Sequence, residues 1–275
     1  MEPRVFRKFC AIAHQKAGIH LKPGKEALVS ARVAKRLRVL HLPNEQAYLE
    51  YLDNDESGEE LISFLDVIST NFTSFMRERE HFHSLIEYVT ENTPCSGSQF
   101  KLWCAAASSG EEPYTIAVTL SDVLPNGSSG FRLLATDIST NVLGKAIEGV
   151  YRKEAVEPLT AEQRRKYFIK QADNTYQVIP ELKEPIVFRR LNLSTPPFPM
   201  NGPLDIVFCR NVMIYFDHKT RQALISEIER LLTPGGVLYT GHSETLAGID
   251  TGLKMLKPSI YRKPKAISNS WKEAV

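Results

Sequence analysis

The chain has 275 residues, 43% of them hydrophobic, and a formal net charge of +2. That is enough apolar content for one large domain or two, and too little positive charge for a chain that is basic throughout. No stretch is long and apolar enough to span a bilayer, and Met1-Glu2-Pro3-Arg4 opens no apolar signal region, so a cytoplasmic protein is expected.

Residues 1–50 carry ten Lys or Arg against four Asp or Glu, and much of the excess lies between Lys25 and Arg38. At about 100° per residue, Lys25, Arg32, Lys35 and Arg36 share one arc, with Val29, Val33, Ala34 and Leu37 opposite. This predicts a basic amphipathic helix. Such a face ordinarily just meets water; an acidic protein partner, nucleic acid or an anionic membrane surface also fits its sign, but no nucleic-acid module lies nearby. Residues 45–68 continue as helices, broken near Asn54 to Gly58. Thr70 to Arg77 then alternates small polar with bulky apolar residues, which predicts a helix start capped by Thr73 or Ser74. His81 and His83 follow on that helix, two apart, a spacing that suits a surface better than a metal site. The Asn, Thr, Pro, Ser and Gly residues between Glu91 and Gln99 mark a boundary.

Leu102 to Ala107 is apolar and small, as in a strand buried on both faces, and breaks at Ser108-Ser109-Gly110. A helix follows, with Pro113 at its first position and Ile116, Ala117, Leu120 and Leu124 on one face. A second apolar run, Phe131 to Ala135, ends at Asp137, which is 27 residues beyond Gly110. Strand, tight turn, helix, strand and acid is the order in which open α/β sheets bind an adenosine ligand, the acid holding the ribose hydroxyls. A dinucleotide would need more glycines at this turn, and Glu111-Glu112 would repel its pyrophosphate. S-adenosylmethionine carries a cationic sulfonium and ammonium, with which those acids are compatible. The same two glutamates would also complement the helix dipole.

Beyond Asp137, Val142 to Val150 reads as a short helix and Ala161 to Phe168 as another. Thr175 to Val178 and Ile186 to Phe188 are extended and predict a small antiparallel insertion. Leu204 to Cys209 is a further buried strand, with Arg210-Asn211 at its ligand-facing end. A helix from Lys219 to Leu232 should stop at Thr233-Pro234-Gly235-Gly236, before a strand from Val237 to Thr240 and a rim loop at Gly241 to Glu244, where loop structure is the expected role of His242. Met255 to Tyr261 forms the last hairpin. Cys10, Cys95, Cys104 and Cys209 are widely spaced, which predicts reduced thiols and no metal centre, with Cys104 and Cys209 buried.

Trp103 to Tyr114 (WCAAASSGEEPY), Thr136-Asp137-Ile138 and Cys209 to Phe216 (CRNVMIYF), in this order, resemble the chemotaxis receptor methyltransferase family, CheR. The likeness runs from about Phe6 to Arg262. It implies a class I S-adenosylmethionine-dependent methyltransferase, a Rossmann-like α/β sheet with a small antiparallel β-subdomain insertion, preceded by an all-α N-terminal domain. The divisions expected are a receptor-docking domain at 1–70, a pocket-lining segment and linker at 71–95, and a methyltransferase domain at 96–264. Its insertion is expected at about 165–190, followed by a disordered tail at 265–275. The resemblance places Asn71, Thr73, Arg77, Asn192, Leu193, Arg210 and Asn211 around the cofactor, beside Glu112 and Asp137. It places Tyr215 at methyl transfer, and Lys25, Arg32, Lys35 and Arg36 toward the glutamate-bearing helices of a methyl-accepting chemoreceptor. Met76 stands where the family motif has a second aromatic residue.

The implied reaction gives a glutamate methyl ester and S-adenosylhomocysteine, with Arg77 orienting the carboxylate and Tyr215 lining the transfer site. Neither a metal nor a catalytic triad is expected, because a glutamate is already ionised at neutral pH. The loop from Lys170 to Thr175 is short and lacks glycine, unlike the glycine-rich loop of members that depend on a receptor C-terminal peptide, so tether independence is expected. Monomer is the family expectation, without nucleic acid or membrane insertion. The alternatives are a catalytically silent receptor-binding adaptor and a class I methyltransferase acting on a small molecule.

Overall fold

A computed structural model describes residues 1–69, 71–92 and 98–265. Cys95 and the tail expected to be disordered, apart from Lys265, lie outside the described residues. Four helices open the chain: α1 (Pro3–Ala17), α2 (Glu26–Leu40), α3 (Glu45–Asp53) and α4 (Glu59–Ile68). Helix α1 starts on Pro3, whose missing N–H costs nothing there, and ends where Gly18 turns left-handed. It buries Val5, Phe6, Phe9, Ala13 and Ala17, one face of a helix. The Phe9, Tyr48 and Phe64 rings meet with centroids 5.5–6.3 Å apart and centre this core.

The basic helix exists, with Val29 and Val33 buried as its pattern predicts. Two of its arginines bind within the domain. Arg36 grips the buried Glu60 with two donors, at 2.8 and 2.5 Å, and the Tyr48 hydroxyl donates to the same carboxylate at 2.5 Å. Arg32 donates to the carbonyls of Ile68 and Ser69 at the end of α4, a helix terminus that favours a cation. Lys25 and Lys35 are exposed.

Helix α5 (Glu80–Glu91) begins later than the Thr73 or Ser74 cap predicts. Residues 71–74 are irregular and 75–79 form turns instead, with Met76 and Glu78 in the left-handed region at φ 56° and 58°. The reason is tertiary: the Met76 N–H donates to Thr115 Oγ1, while Arg210 Nη2 donates to the Arg77 carbonyl and to Glu78. His81, expected at the surface, is 1% exposed. His83 is exposed.

The remaining strands and helices follow in chain order. They are β1 (Phe100–Cys104), α6 (Glu111–Val123), β2 (Phe131–Asp137), α7 (Thr140–Glu148), β3 (Val150–Arg152), α8 (Lys153–Val156), α9 (Ala161–Tyr167) and β4 (Phe168–Lys170). Next come β5 (Thr175–Val178), α10 (Pro180–Lys183), β6 (Ile186–Arg190), β7 (Leu204–Cys209), α11 (His218–Leu231), β8 (Leu232–Thr240), β9 (Lys254–Lys257) and β10 (Ile260–Arg262). Pro113 sits third in α6, still in the first turn where no N–H is needed.

The main sheet has the order β6-β2-β1-β7-β8-β10-β9, parallel except for the pairings of β10 with β8 and with β9. It is Rossmann-like, with β1 inside the sheet between β2 and the middle strand β7, and helices on both faces. Strands β3, β5 and β4 form the small antiparallel sheet. Ile186 to Phe188, expected in that insertion, instead extends the main sheet beside β2, because the break at Pro180 starts α10 and turns the chain back. Thr233 to Gly236 does not precede a strand but lies within β8: Leu204 pairs with Leu232 and Ile206 with Val237, so the extra residues are absorbed as an irregularity.

Candidate active site

The C-terminal ends of β1, β2, β6 and β7 open into one cavity of about 390 Å³. Its floor is the turn after β1, where Ala105 N–H donates to Phe208 O and Ala107 N–H to Thr136 O. Gly110 closes that turn at φ 99°, and a Cβ there would lie 2.6 Å from the Tyr151 hydroxyl oxygen, so no other residue fits without strain. Asp137, buried at the end of β2, accepts the Ser108 N–H on one oxygen at 2.9 Å and the Ser139 N–H on the other at 3.0 Å. Burial pushes its carboxyl above the usual range, and these N–H groups oppose the rise.

The helical domain supplies the roof. Ala17, Ile19, His20, Leu21, Lys22, Lys25, Leu28 and Arg32 all line the cavity. The seam is held by the His20 N–H donating to Tyr215 O at 2.7 Å, by a bridge between Ile19 and Phe216, and by Asn192 Nδ2 donating to Lys16 O at 2.8 Å.

Of the cofactor residues expected from sequence, Asn71, Thr73, Arg77, Asp137, Asn192, Leu193 and Asn211 line this cavity, and so does Tyr215. Glu112 and Arg210 stand behind the wall, where Arg210 Nη1 donates to Glu112 Oε2 at 2.7 Å. Lys25 and Arg32 reach the cavity; Lys35 and Arg36 do not line it. The acids at the α6 start are also engaged inside the protein. Glu111 accepts from Ser109 Oγ at 2.7 Å, and Glu112 accepts from Cys104 Sγ at 3.2 Å. Burial raises the pKa of both, against the pull of Ser109 on Glu111 and of Arg210 on Glu112.

Two residues went unread in the sequence. Glu78 accepts from Arg210 Nη2 at 3.0 Å and from Asn211 Nδ2 at 3.2 Å, and although burial pushes its carboxyl up, Arg210 and Asn211 outweigh that and hold it below the usual range. Glu244, 4% exposed, accepts the N–H groups of Gly241 at 2.6 Å, Asn211 at 2.8 Å and Ile214 at 3.2 Å. It therefore fixes the loop bearing Asn211, whose own φ of 57° needs such support. A Glu-Arg alternation at 77–79 gave no sign of Glu78, but the carboxylate in the Gly241 to Glu244 rim loop was a readable one. Beside Glu78 stands His81, whose pKa burial and then Arg210 lower to about 4, so its ring is neutral at neutral pH.

Two family descriptions match consecutive parts of the chain: the CheR methyltransferase all-alpha domain over residues 4–69, and the CheR methyltransferase SAM binding domain over residues 71–261. The chain belongs to the CheR methyltransferase family. Among CheR relatives, the chemotaxis protein methyltransferase of Escherichia coli (strain K12) is 36% identical over 263 residues, covering 94% of this chain and 91% of that protein. The chemotaxis protein methyltransferase of Borreliella burgdorferi is 37% identical over 259 residues, covering 92% and 91%. The fold is the CheR arrangement of an all-α domain on a class I methyltransferase sheet, and S-adenosylmethionine is its cofactor. The cavity fits that molecule: its volume lies in the range of small-ligand sites, and its largely apolar walls carry a few polar side chains, Asp137, Asn192 and Asn211 among them, at the ligand-binding edge of the sheet. No helix among the described residues is long and apolar enough to cross a membrane.

Proposed function

We propose that this CheR methyltransferase transfers a methyl group from S-adenosylmethionine to glutamate side chains on the cytoplasmic helices of a chemoreceptor. One observation carries the reading: the cavity at the sheet edge opens past Lys22, Lys25, Arg32 and Arg77, a basic mouth for an acidic protein segment. When bound, the cofactor supplies a methyl group on a cationic sulfur. Asp137 holds the ribose hydroxyls, and Asn71, Thr73, Asn192, Leu193 and Asn211 enclose the rest. Glu112, Arg210 and Glu78 keep the wall behind Asn211 rigid. A substrate glutamate is ionised at neutral pH, so no residue here has to remove a proton.

Arg77 is half-buried and already donates from Nη1 to Phe72 O at 2.9 Å, which leaves part of its guanidinium to orient a carboxylate. A partial contact suits the chemistry, because a full bidentate pair would hold the carboxylate too firmly to attack. Tyr215 lines the same cavity and offers an aromatic wall to a cationic sulfur. Lys25 and Arg32 steer the receptor, with Lys35 further out and Arg36 holding Glu60. The turn at 171–174 is tight, Asp173 accepting from both the N–H and the hydroxyl of Thr175, and we read it as too short to hold a receptor tail peptide. The protein works as a monomer in the cytoplasm, without nucleic acid.

Incubation with labelled S-adenosylmethionine and receptor cytoplasmic fragments, followed by mass mapping, tests this. Label should appear on glutamate side chains and fall steeply in Arg77→Ala and Tyr215→Ala. Label on small molecules alone, or none, refutes the reading.

A further inference from the structure

Three side chains from separate segments converge beside the cofactor cavity: Glu78 in the turns before α5, His81 within α5, and His242 in the rim loop after β8. Glu78 Oε2 lies 3.4 Å from His81 Nδ1 and 3.9 Å from His242 Nε2, and the three donor atoms lie within 4.8 Å of one another. Ligands sharing one tetrahedral ion through bonds of about 2.0–2.2 Å stand roughly 3.3–3.6 Å apart, so small side-chain shifts suffice. His81 is 1% exposed, and neither of its ring nitrogens makes a hydrogen bond. A buried polar group in that condition is costly unless something binds it.

The charge balance points the same way. One guanidinium, Arg210, bonds to both Glu78 and Glu112, so Glu78 shares that cation with a second carboxylate next to two imidazoles. His242 has a side chain 51% exposed and opens the cluster to solvent.

We infer that Glu78, His81 and His242 bind a divalent transition-metal ion of the zinc type, and that filling this site weakens cofactor binding. Two imidazoles and a carboxylate suit zinc, with water in the fourth position. The oxygen that faces both histidines is also the one that accepts from Arg210, so the ion competes with an existing bond. Binding is therefore moderate and reversible, as befits an effector rather than a resident cofactor. The coupling, which rests on the cofactor reading above, runs through Glu78: moved toward an ion, it releases Asn211, a wall of the cavity.

Titration of the full chain with Co2+ alone tests the site through its visible d–d absorption. One equivalent should bind, Zn2+ should displace it, and His242→Ala, a half-exposed position tolerant of change, should abolish the band, as should His81→Ala where that variant folds. Absence of a band, or a band unchanged in His242→Ala, overturns the site. Calorimetry with S-adenosylhomocysteine should show affinity at least about fivefold weaker at saturating Zn2+. Unchanged affinity overturns the coupling, whereas no binding of S-adenosylhomocysteine without metal would refute the cofactor reading and leave the Co2+ result standing.

Discussion

Replacing Arg210 with Met removes one cation from between two carboxylates. The guanidinium, 0% exposed, donates to Glu112 at 2.7 Å, to Glu78 at 3.0 Å and to the Arg77 carbonyl at 2.5 Å. Breaking a buried pair from one side costs about 3–5 kcal/mol, because the remaining charge has lost its partner. At roughly 2–4 °C per kcal/mol for a chain of this size, the melting temperature should fall by about 6–20 °C. The pH dependence has a definite sign. Burial already holds Glu112 above its unfolded pKa, so its ionisation costs folding energy that is absent at low pH and grows as pH rises through the folded value. Without Arg210 that value rises further, and Glu78 loses the main influence holding it down. Protonation then relieves the variant more than the parent, and the gap in melting temperature should narrow between about pH 8 and about pH 5.5. Differential scanning calorimetry of both proteins across that range decides the matter. A gap below about 2 °C at pH 8, or one that widens on acidification, refutes the reasoning.

Asp137→Asn presents an amide nitrogen to one of two backbone N–H groups and should weaken S-adenosylhomocysteine binding by at least about tenfold in calorimetry, or about 1.4 kcal/mol. Lys25→Glu should raise the KM for a receptor fragment by about three- to tenfold at low salt and less at high salt, since a screened surface charge is at work. Tyr48→Phe deletes the hydroxyl that donates to buried Glu60 and should cost about 1–3 kcal/mol in urea unfolding. An isolated receptor C-terminal peptide should give no saturable heat with this chain; tight binding would contradict tether independence.

Strand β1, its turn, α6 and Asp137 were legible because buried strands and helix faces leave apolar patterns that need no tertiary context. Most of the residues that motif likeness sets around the cofactor line the one cavity at the sheet edge. What was hidden depended on distant partners. The helix expected at Thr73 yields to the Met76 N–H donating to Thr115 and to Arg210 donating to the Arg77 carbonyl, and His81 is buried in the same region. Glu112, expected near the cofactor from the acidic turn at the start of α6, and Arg210, expected there from motif likeness, are paired with each other at 2.7 Å behind the cavity wall, a long-range contact that neither motif announces. Ile186 to Phe188 was read with Thr175 to Val178 as one antiparallel insertion, although β2 offered it a parallel edge.

The seam between His20 and Tyr215 has a consequence for how relatives could exchange parts. Residues from 17 to 32 roof the cavity, so grafting the helical half of another CheR protein onto this sheet would replace part of the cavity wall together with the basic mouth proposed for the receptor. Chimaeras should therefore change both features at once, and a junction that respects both partners of the seam is the one that keeps the chamber whole.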